Sequence, residues 1–170
     1  MNAPAATPFL SRWAAADERQ RLLQVVQPAL IGLIDGTIST LAPIFAAAYI
    51  AGSQAALLVG LAAALGAAIS MGMSEGLSDD GRITGRGAAL TRGMITGIAT
   101  FVGGTAHALP FLINDVHTAL TVAYIVVSIE LVAIAGIRKR FLGVALRTSL
   151  IQVTGGGVVV AAVGVLVGHA

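Results

Sequence analysis

Residues 32–43 read GLIDGTISTLAP, an apolar stretch with a single carboxylate, Asp35, inside it. The neighbouring apolar residues extend this stretch to a length that can cross a bilayer. A charged side chain at that depth costs about 2.5–3.5 kcal/mol on insertion scales, and such residues commonly mark ion or proton paths. The stretch therefore predicts a membrane-spanning helix with a functional acid. The alternative is a protonated or paired Asp35 that only fixes helix packing.

The composition of the whole chain predicts an integral membrane protein. Of its 170 residues, 56% are hydrophobic and 11% are charged, whereas a soluble domain carries about 25% charged residues. The basic residues lie in short clusters beside apolar runs, which is typical of an orientation signal and argues against a nucleic-acid partner. The chain has no cysteine, which excludes disulfides, thiolate metal ligands and cysteine nucleophiles.

Runs of about 20 mostly apolar residues predict an all-α bundle of five membrane-spanning helices. The predicted spans are Val26–Ile50, Ala55–Leu77, Arg92–Ile113, His117–Ile137 and Thr148–Val167. Residues 26–168 then form one transmembrane domain. Residues 1–25 have no apolar core of the signal-peptide type and are predicted to be a cytoplasmic tail, with an amphipathic helix from about Trp13 to Leu23.

The distribution of Lys and Arg predicts the orientation of these spans. Basic residues occur in the tail, in the polar loop 78–91 and in the connector Arg138–Arg147. The predicted turns at Ala51–Gln54 and Asn114–Val116 contain none. Since cytoplasmic loops are enriched in Lys and Arg, the N-terminus is expected inside and the C-terminus outside, in the inner membrane of the cell.

Glycines spaced four residues apart indicate where helices approach closely. Three such pairs are Gly32/Gly36, Gly93/Gly97 and Gly164/Gly168. The first pair brackets Asp35, so the helix that packs against it is expected to lie near the carboxylate.

The surroundings of Asp35 predict oxygen ligands for a cation. Ser39 lies one helical turn after Asp35 on the same face. Pro43 has no N–H to donate to the Ser39 carbonyl, so a kink and a free backbone oxygen are expected there. Hard cations bind such oxygens.

Met71 and Glu75 lie one turn apart on one face of the second span. The predicted orientation puts Glu75 near the cytoplasmic surface and Met71 one turn deeper, approaching the level of Asp35. Carboxylate oxygen combined with a thioether suits a borderline ion such as Fe²⁺. The alternatives are ordinary packing for Met71 and a simple interfacial position for Glu75.

Two further polar residues lie inside predicted spans. Glu130, about two turns from the cytoplasmic end of the fourth span, has no basic neighbour in sequence, so another helix must satisfy it. A proton-relay or metal role and a structural hydrogen bond both remain open for Glu130. His107 lies nearer the outer face, one turn before a kink or helix end at Pro110, where a structural hydrogen bond is favoured over a metal role.

Two motifs resemble the vacuolar iron transporter family. Residues 35–40, DGTIST, resemble that family's first-span motif Asp-Gly-x-x-Ser-Thr. Residues 70–75, SMGMSE, resemble its second-span motif Ser-Met-Ala-x-Gly-Glu, with Ser74 in place of the glycine. The resemblance covers about residues 26–168.

Three other stretches resemble one branch, the membrane half of bacterial membrane-bound ferritin iron exporters. They are STLAPIF at 39–45, LSDDG at 77–81 and HALPF at 107–111. Only about 25 residues precede the first span, so the ferritin-like domain of that branch is expected to be absent. The loop 78–91 is also too short for the cytoplasmic metal-binding domain of the large eukaryotic members.

The resemblance implies a homodimer whose ion path runs between two first spans. Asp35, Met71 and Glu75 match family positions tied to metal passage. The implied activity is export of Fe²⁺, with Mn²⁺ as a second candidate, in exchange for protons. Neither an enzymatic activity nor a resident cofactor is expected.

Two other functions remain open at this point. A small dimeric bundle with one membrane carboxylate can export an organic cation, although an aromatic content of 5% argues against cation–π recognition. A non-transporting membrane subunit could instead dock a ferritin-like protein through the polar loop or the tail.

Overall fold

The computed structural model describes residues 17–170, and no strand occurs within that range. After a helical stretch at residues 17–21, five longer α-helices follow one another: α1 Gln27–Ser39, α2 Leu41–Ser78, α3 Ala89–Ala106, α4 Val116–Leu142 and α5 Leu146–Gly168. A π-helical turn, Leu22–Val26, precedes α1, and a 3₁₀ turn, Leu109–Leu112, follows α3. The all-α prediction is confirmed.

Helix α2 is a hairpin of two arms that reverses at Gly52. The backbone of Gly52 has φ 82° and ψ −172°, a conformation that essentially only glycine adopts. A Cβ placed on Gly60 would lie 3.0 Å from Cδ1 of Ile44. Residues eight positions before and after Gly52 therefore lie side by side. The predicted turn at Ala51–Gln54 is confirmed, and it separates a first arm, 41–51, from a second arm, 53–78.

The predicted first span is interrupted near its middle. Helix α1 ends at Ser39, and Thr40 (φ −89°, ψ −11°) directs its N–H to the Ile38 carbonyl. The helical path resumes at Leu41, and the Ile44 N–H donates to the Thr40 carbonyl at 3.2 Å. The break thus lies three residues before Pro43, as expected if the missing N–H of proline loosens the preceding turn.

Two predicted helix ends differ from the structure. The third span was expected to reach Ile113, but α3 ends at Ala106, because Pro110 cannot donate to the Ala106 carbonyl and the chain continues as a 3₁₀ turn. The fourth helix runs beyond Ile137 to Leu142 and ends at Gly143, whose φ is 66°. Much of the predicted basic connector is therefore helical.

The helical path continues across the predicted boundary between the tail and the transmembrane domain. Residues 17–21 are helical and continue through the π-helical turn into α1. The part of the predicted amphipathic helix at residues 13–16 lies outside the described residues, as does the rest of the tail before Asp17.

Helix α3 packs closely against both α1 and the second arm of α2. Cβ atoms on Gly32 and Gly36 would overlap the backbone carbonyl oxygens of Thr96 and Thr100. A Cβ on Gly93 would lie 2.5 Å from the carbonyl oxygen of Gly72. Since only glycine permits such approaches, these two predicted glycine pairs are confirmed as helix contacts.

The third predicted pair brings α5 against the first arm of α2. A Cβ on Gly164 would lie 2.6 Å from the Ala42 carbonyl oxygen, and one on Gly168 would lie 3.2 Å from the Ala46 Cα. This contact closes the bundle on the side of the first arm.

Three helical stretches of the described residues are long and apolar enough to cross a membrane: Asp17–Ser78, Val116–Leu142 and Leu146–Gly168. Large apolar side chains lie exposed on their outer faces, among them Ile50 at 67% and Leu166 at 71%. An apolar outer surface of this kind is compatible with contact to lipid. The chain is thus an all-helical protein with membrane-spanning character.

Candidate functional site

Asp35 lies on α1 directly before the fully packed Gly36, and its side chain is partly exposed. Ser39, one turn further, is exposed. Within residues 17–170, no Lys, Arg or His side chain forms an ion pair with Asp35. The acid therefore lies at the edge of the single chain, with the α3 contact on one side and open surface on the other.

Glu75 lies at the cytoplasmic end of the second arm by the predicted orientation, in a buried ion-pair network. Its Oε1 accepts from Arg86 Nη2 at 2.7 Å and from Arg92 Nε at 2.9 Å. The Arg92 side chain is 1% exposed. Its Nη1 donates to the Gly87 carbonyl at 2.7 Å, and its Nη2 donates to the Asp79 carbonyl at 2.6 Å. One guanidinium thus joins both helix ends to the loop between them.

This network changes what Glu75 can do. A buried carboxylate bonded to two guanidinium groups depends on both of them, because removing one leaves a buried charge without its full compensation. A metal ion at Oε1 would have to displace two cations, whereas neither arginine bonds Oε2. The network was not predicted. The only signal in the sequence was an arginine, Arg92, at the start of an otherwise uncharged apolar segment.

The loop after the second arm is organised around a second carboxylate, Asp79. It accepts hydrogen bonds from the Thr84 hydroxyl and from the Gly81 N–H, the latter at 2.8 Å. These bonds, in that order, hold the pKa of Asp79 below its ordinary value, with a further contribution from Arg92 and Arg86. Asp79 is therefore ionised in the folded loop.

His107 and Glu130 meet inside the bundle. His107 Nδ1 lies 2.9 Å from Glu130 Oε2, and His107 Nε2 lies 2.8 Å from the Thr40 hydroxyl. His107 is fully buried and Thr40 is 1% exposed, while the Glu130 side chain retains 12% exposure. The prediction that another helix satisfies Glu130 is confirmed. Thr40 was not singled out from the sequence, although it ends the DGTIST motif.

The Thr40 hydroxyl also donates to the Gly36 carbonyl at 2.8 Å. The result is a continuous hydrogen-bonded chain from Glu130 through His107 and Thr40 to the residue next to Asp35. The break between α1 and α2, the end of α3 and the middle of α4 each supply one member. Two predicted site residues, Glu130 and His107, are thus brought together.

Met71 is half-buried on the second arm, next to Gly72, which packs against α3. No group of three or more His, Asp or Glu side chains in the range 17–170 lies close enough to hold a metal ion. Asp35, Met71 and Glu75 come from helices that both pack on α3.

Comparison of this chain with protein-family models, with curated proteins and with solved structures finds no match. The family resemblance of residues 35–40 and 70–75 stays a prediction.

Proposed function

We propose that this chain exports a divalent metal ion from the cytoplasm, Fe²⁺ first and Mn²⁺ second, in exchange for protons. The observation that carries the proposal is Asp35, a carboxylate in an apolar helix that is partly exposed and has no cationic partner among residues 17–170. An acid that only fixed packing would be expected to lie against a cationic donor, as Glu75 does, whereas the donor beside Asp35 is the neutral Ser39 hydroxyl. An acid kept free in an apolar segment suits a ligand that comes and goes.

The chemistry of Ser39 and Met71 favours a divalent metal over a bulky cation. Ser39 adds a hydroxyl oxygen one turn from Asp35, and Met71 adds a thioether on the second arm. Oxygen ligands with a soft sulfur favour Fe²⁺ over Mg²⁺ or Ca²⁺. In the proposal Glu75 acts at the cytoplasmic end through Oε2, because its other oxygen is held by arginines.

The proposed topology has five spans in the inner membrane, with the N-terminus inside. The spans are α1 with the first arm, the second arm, α3 with its 3₁₀ turn, α4 and α5. Support comes from the basic residues at loop 79–88 and at the end of α4, which lie at one end of the helices, whereas the Gly52 turn carries no charge.

The proposed assembly is a homodimer through the first span. Support comes from the outward position of Asp35 and Ser39 on α1. Two copies facing each other there would offer two carboxylates and two hydroxyls to one ion. Divalent metals need more ligands than one such pair supplies.

The exchange follows from the chemistry of a carboxylate. Ionised Asp35 binds either a metal ion or a proton, and the two compete for the same oxygens. When the metal leaves on the outer side, a proton takes its place and is carried inward as the site returns. Each turnover thus moves metal out and protons in.

Metal flux in proteoliposomes tests the proposal. Purified protein is reconstituted with a metal-sensitive dye and an imposed pH gradient, and Fe²⁺, Mn²⁺ and Zn²⁺ are compared. We expect Fe²⁺ flux by the wild type and loss of flux in Asp35→Ala, with insertion into the membrane unchanged. Asp80→Ala is the matched control, since Asp80 is an exposed acid in the loop.

Undiminished flux in Asp35→Ala would refute the assignment of the ligand. Flux of a quaternary ammonium compound in place of any metal would instead support an organic-cation exporter and refute the metal proposal.

A further inference from the structure

The hydrogen bonds of Thr40 define the proton positions in the chain from Glu130 to Gly36. A threonine hydroxyl has one proton to donate. The Thr40 N–H is directed to the Ile38 carbonyl, and the hydroxyl is the group that donates to the Gly36 carbonyl, at 2.8 Å. Gly36 is buried, so its carbonyl would lose a donor if the hydroxyl turned away.

While Thr40 donates to Gly36, it can only accept from His107. His107 Nε2 therefore carries a proton. The 2.9 Å contact between His107 Nδ1 and Glu130 Oε2 then also needs one proton. That proton lies either on Glu130, giving a neutral pair, or on His107, giving an ion pair. In both arrangements the pair holds one proton more than ionised Glu130 beside neutral His107.

Loss of this proton reverses the direction of the hydrogen bonds between Glu130, His107 and Thr40. Ionised Glu130 needs a donor, so the remaining imidazole proton moves to Nδ1 and Nε2 becomes an acceptor. Among residues 17–170 the Thr40 hydroxyl is the donor within reach of Nε2. It turns from the Gly36 carbonyl to His107, and the carbonyl oxygen of Gly36, the residue that follows Asp35 in the chain, is freed.

We propose that the His107–Glu130 pair is a second proton-binding centre of the exchange, in addition to Asp35, and that the Thr40 hydroxyl couples the protonation of this pair to the Gly36 carbonyl. This inference rests on the proposed function. With the proton bound, Gly36 oxygen is capped by the hydroxyl. With the proton released to water, that oxygen joins the Asp35 carboxylate as a ligand for the metal.

Metal binding and proton release then favour each other, because both require the hydroxyl to leave Gly36. The net change is one proton passed to water: His107 Nε2 loses its N–H bond, and the proton that stays in the pair lies on Nδ1. Glu130 is the member of the chain that retains exposed surface, so the proton leaves and returns through its carboxyl group.

Few other titratable groups surround the pair. The second arm of α2 carries none at residues 53–74, and α5 carries none at 148–168. The others on the helices include Asp35, the Tyr49 and Tyr124 pair, whose hydroxyls lie 3.4 Å apart, and Arg92, which is bonded to Glu75. His117, Arg138, Lys139, Arg140 and Arg147 lie in the end turns of α4 and α5. None of these forms a hydrogen bond with His107 or Glu130 in the described part of the chain.

Two substitutions separate the proton centre from its link to the metal. Glu130→Gln keeps a donor toward His107 Nδ1 but has no proton to release. The hydrogen bonds of His107 and Thr40 therefore stay in the proton-bound arrangement. Thr40→Val keeps the shape of the side chain and removes the hydroxyl. His117→Gln is the matched control, since His117 is an exposed histidine at the start of α4.

The first measurement counts protons released when Mn²⁺ binds to purified protein in weakly buffered solution. We expect Glu130→Gln to release about one proton fewer per chain than the wild type, and His117→Gln to match the wild type. In Thr40→Val the Mn²⁺ affinity is expected to depend less steeply on pH than in the wild type. The change in affinity for each pH unit is expected to be about tenfold smaller. Thr40→Ser, which restores the hydroxyl, is expected to restore the dependence.

Equal proton release by Glu130→Gln and the wild type would overturn the inference, as would an unchanged pH dependence in Thr40→Val. Infrared and ¹⁵N NMR spectra of the protein in lipid test the proton centre without metal. Absence of both a protonated Glu130 carboxyl and a His107 imidazolium at every pH would refute the centre and leave metal transport through Asp35 standing. If the His107–Glu130 pair gained and lost a proton but the protein bound no Mn²⁺, only the proposed coupling to the metal would be refuted.

Discussion

Replacing Gly93 by alanine tests whether glycine contacts between α3 and the second arm of α2 hold the bundle together. A Cβ at this position would lie 2.5 Å from the Gly72 carbonyl oxygen and 3.2 Å from the Gly76 Cα. Ordinary contact begins at 3.4 Å. The obstructing atoms belong to the backbone, so no side chain can rotate away and the two helices must separate.

The magnitude follows from two opposing effects. Overpacking a closely fitted contact costs about 1–3 kcal/mol, while alanine in place of glycine inside a helix gains about 0.5–1 kcal/mol. The expected net loss is about 1–2 kcal/mol. For a chain of this size each kcal/mol lowers the melting temperature by about 2–4 °C. Separation of the helices would also stretch the 2.9 Å bond between Arg92 and Glu75.

Thermal unfolding in detergent, followed by circular dichroism, measures the effect. The control is Gly136→Ala on α4, where a Cβ would meet no atom within 4 Å. This control is expected to melt at or slightly above the wild-type temperature. If Gly93→Ala melted with the wild type, or if both variants melted equally early, close glycine packing would not be what stabilises this contact.

Three further predictions use the same melting assay. Arg92→Ala leaves Glu75 with one cation and removes the donor of three loop carbonyls, so we expect a loss of about 3–5 kcal/mol. Arg82→Ala, whose side chain is 88% exposed, is its control and should change little. Gly52→Ala forces a side chain onto φ 82° and should cost about 1–3 kcal/mol although its Cβ has open space, and a cost near zero would contradict the strain argument. Because the pKa of Asp79 is lowered in the folded loop, its contribution is complete above the ordinary value of 3.8 and is lost as pH falls toward the lower folded value. Asp79→Asn should lack this acid-side loss of stability, and an identical melting profile against pH in both proteins would rule it out.

The helices could be predicted from the sequence because their signals are local. Apolar runs define the segments, and the breaks fall at residues whose backbone chemistry is unusual. Gly52 turns where only glycine can, and Pro110 ends α3 because it lacks an N–H. The predicted end of the fourth span, Ile137, was wrong because it was also placed from a local signal, here the charge of the residues that follow. Arg138–Arg140 read as a connector by charge, yet basic residues are well tolerated in the last turns of a helix.

The candidate site was predicted only in part. Asp35 is conspicuous in any reading, since an acid in an apolar run is costly wherever it lies. Glu75 was singled out for metal passage, but its pairing with Arg86 and Arg92 could not be anticipated, because the partners lie 11 and 17 residues away along the chain. Those pairings depend on how α3 returns along the second arm.

The sequence by itself determined an all-helical membrane-type chain, the turn at Gly52 and the exceptional position of Asp35. Only the tertiary structure decided which polar groups satisfy one another. Thr40 and His107 are 67 residues apart, and His107 and Glu130 are 23 apart. The physical reason is that a buried polar group must find its partner wherever packing brings one, and here the packing is set by backbone contacts between glycine-bearing helix faces.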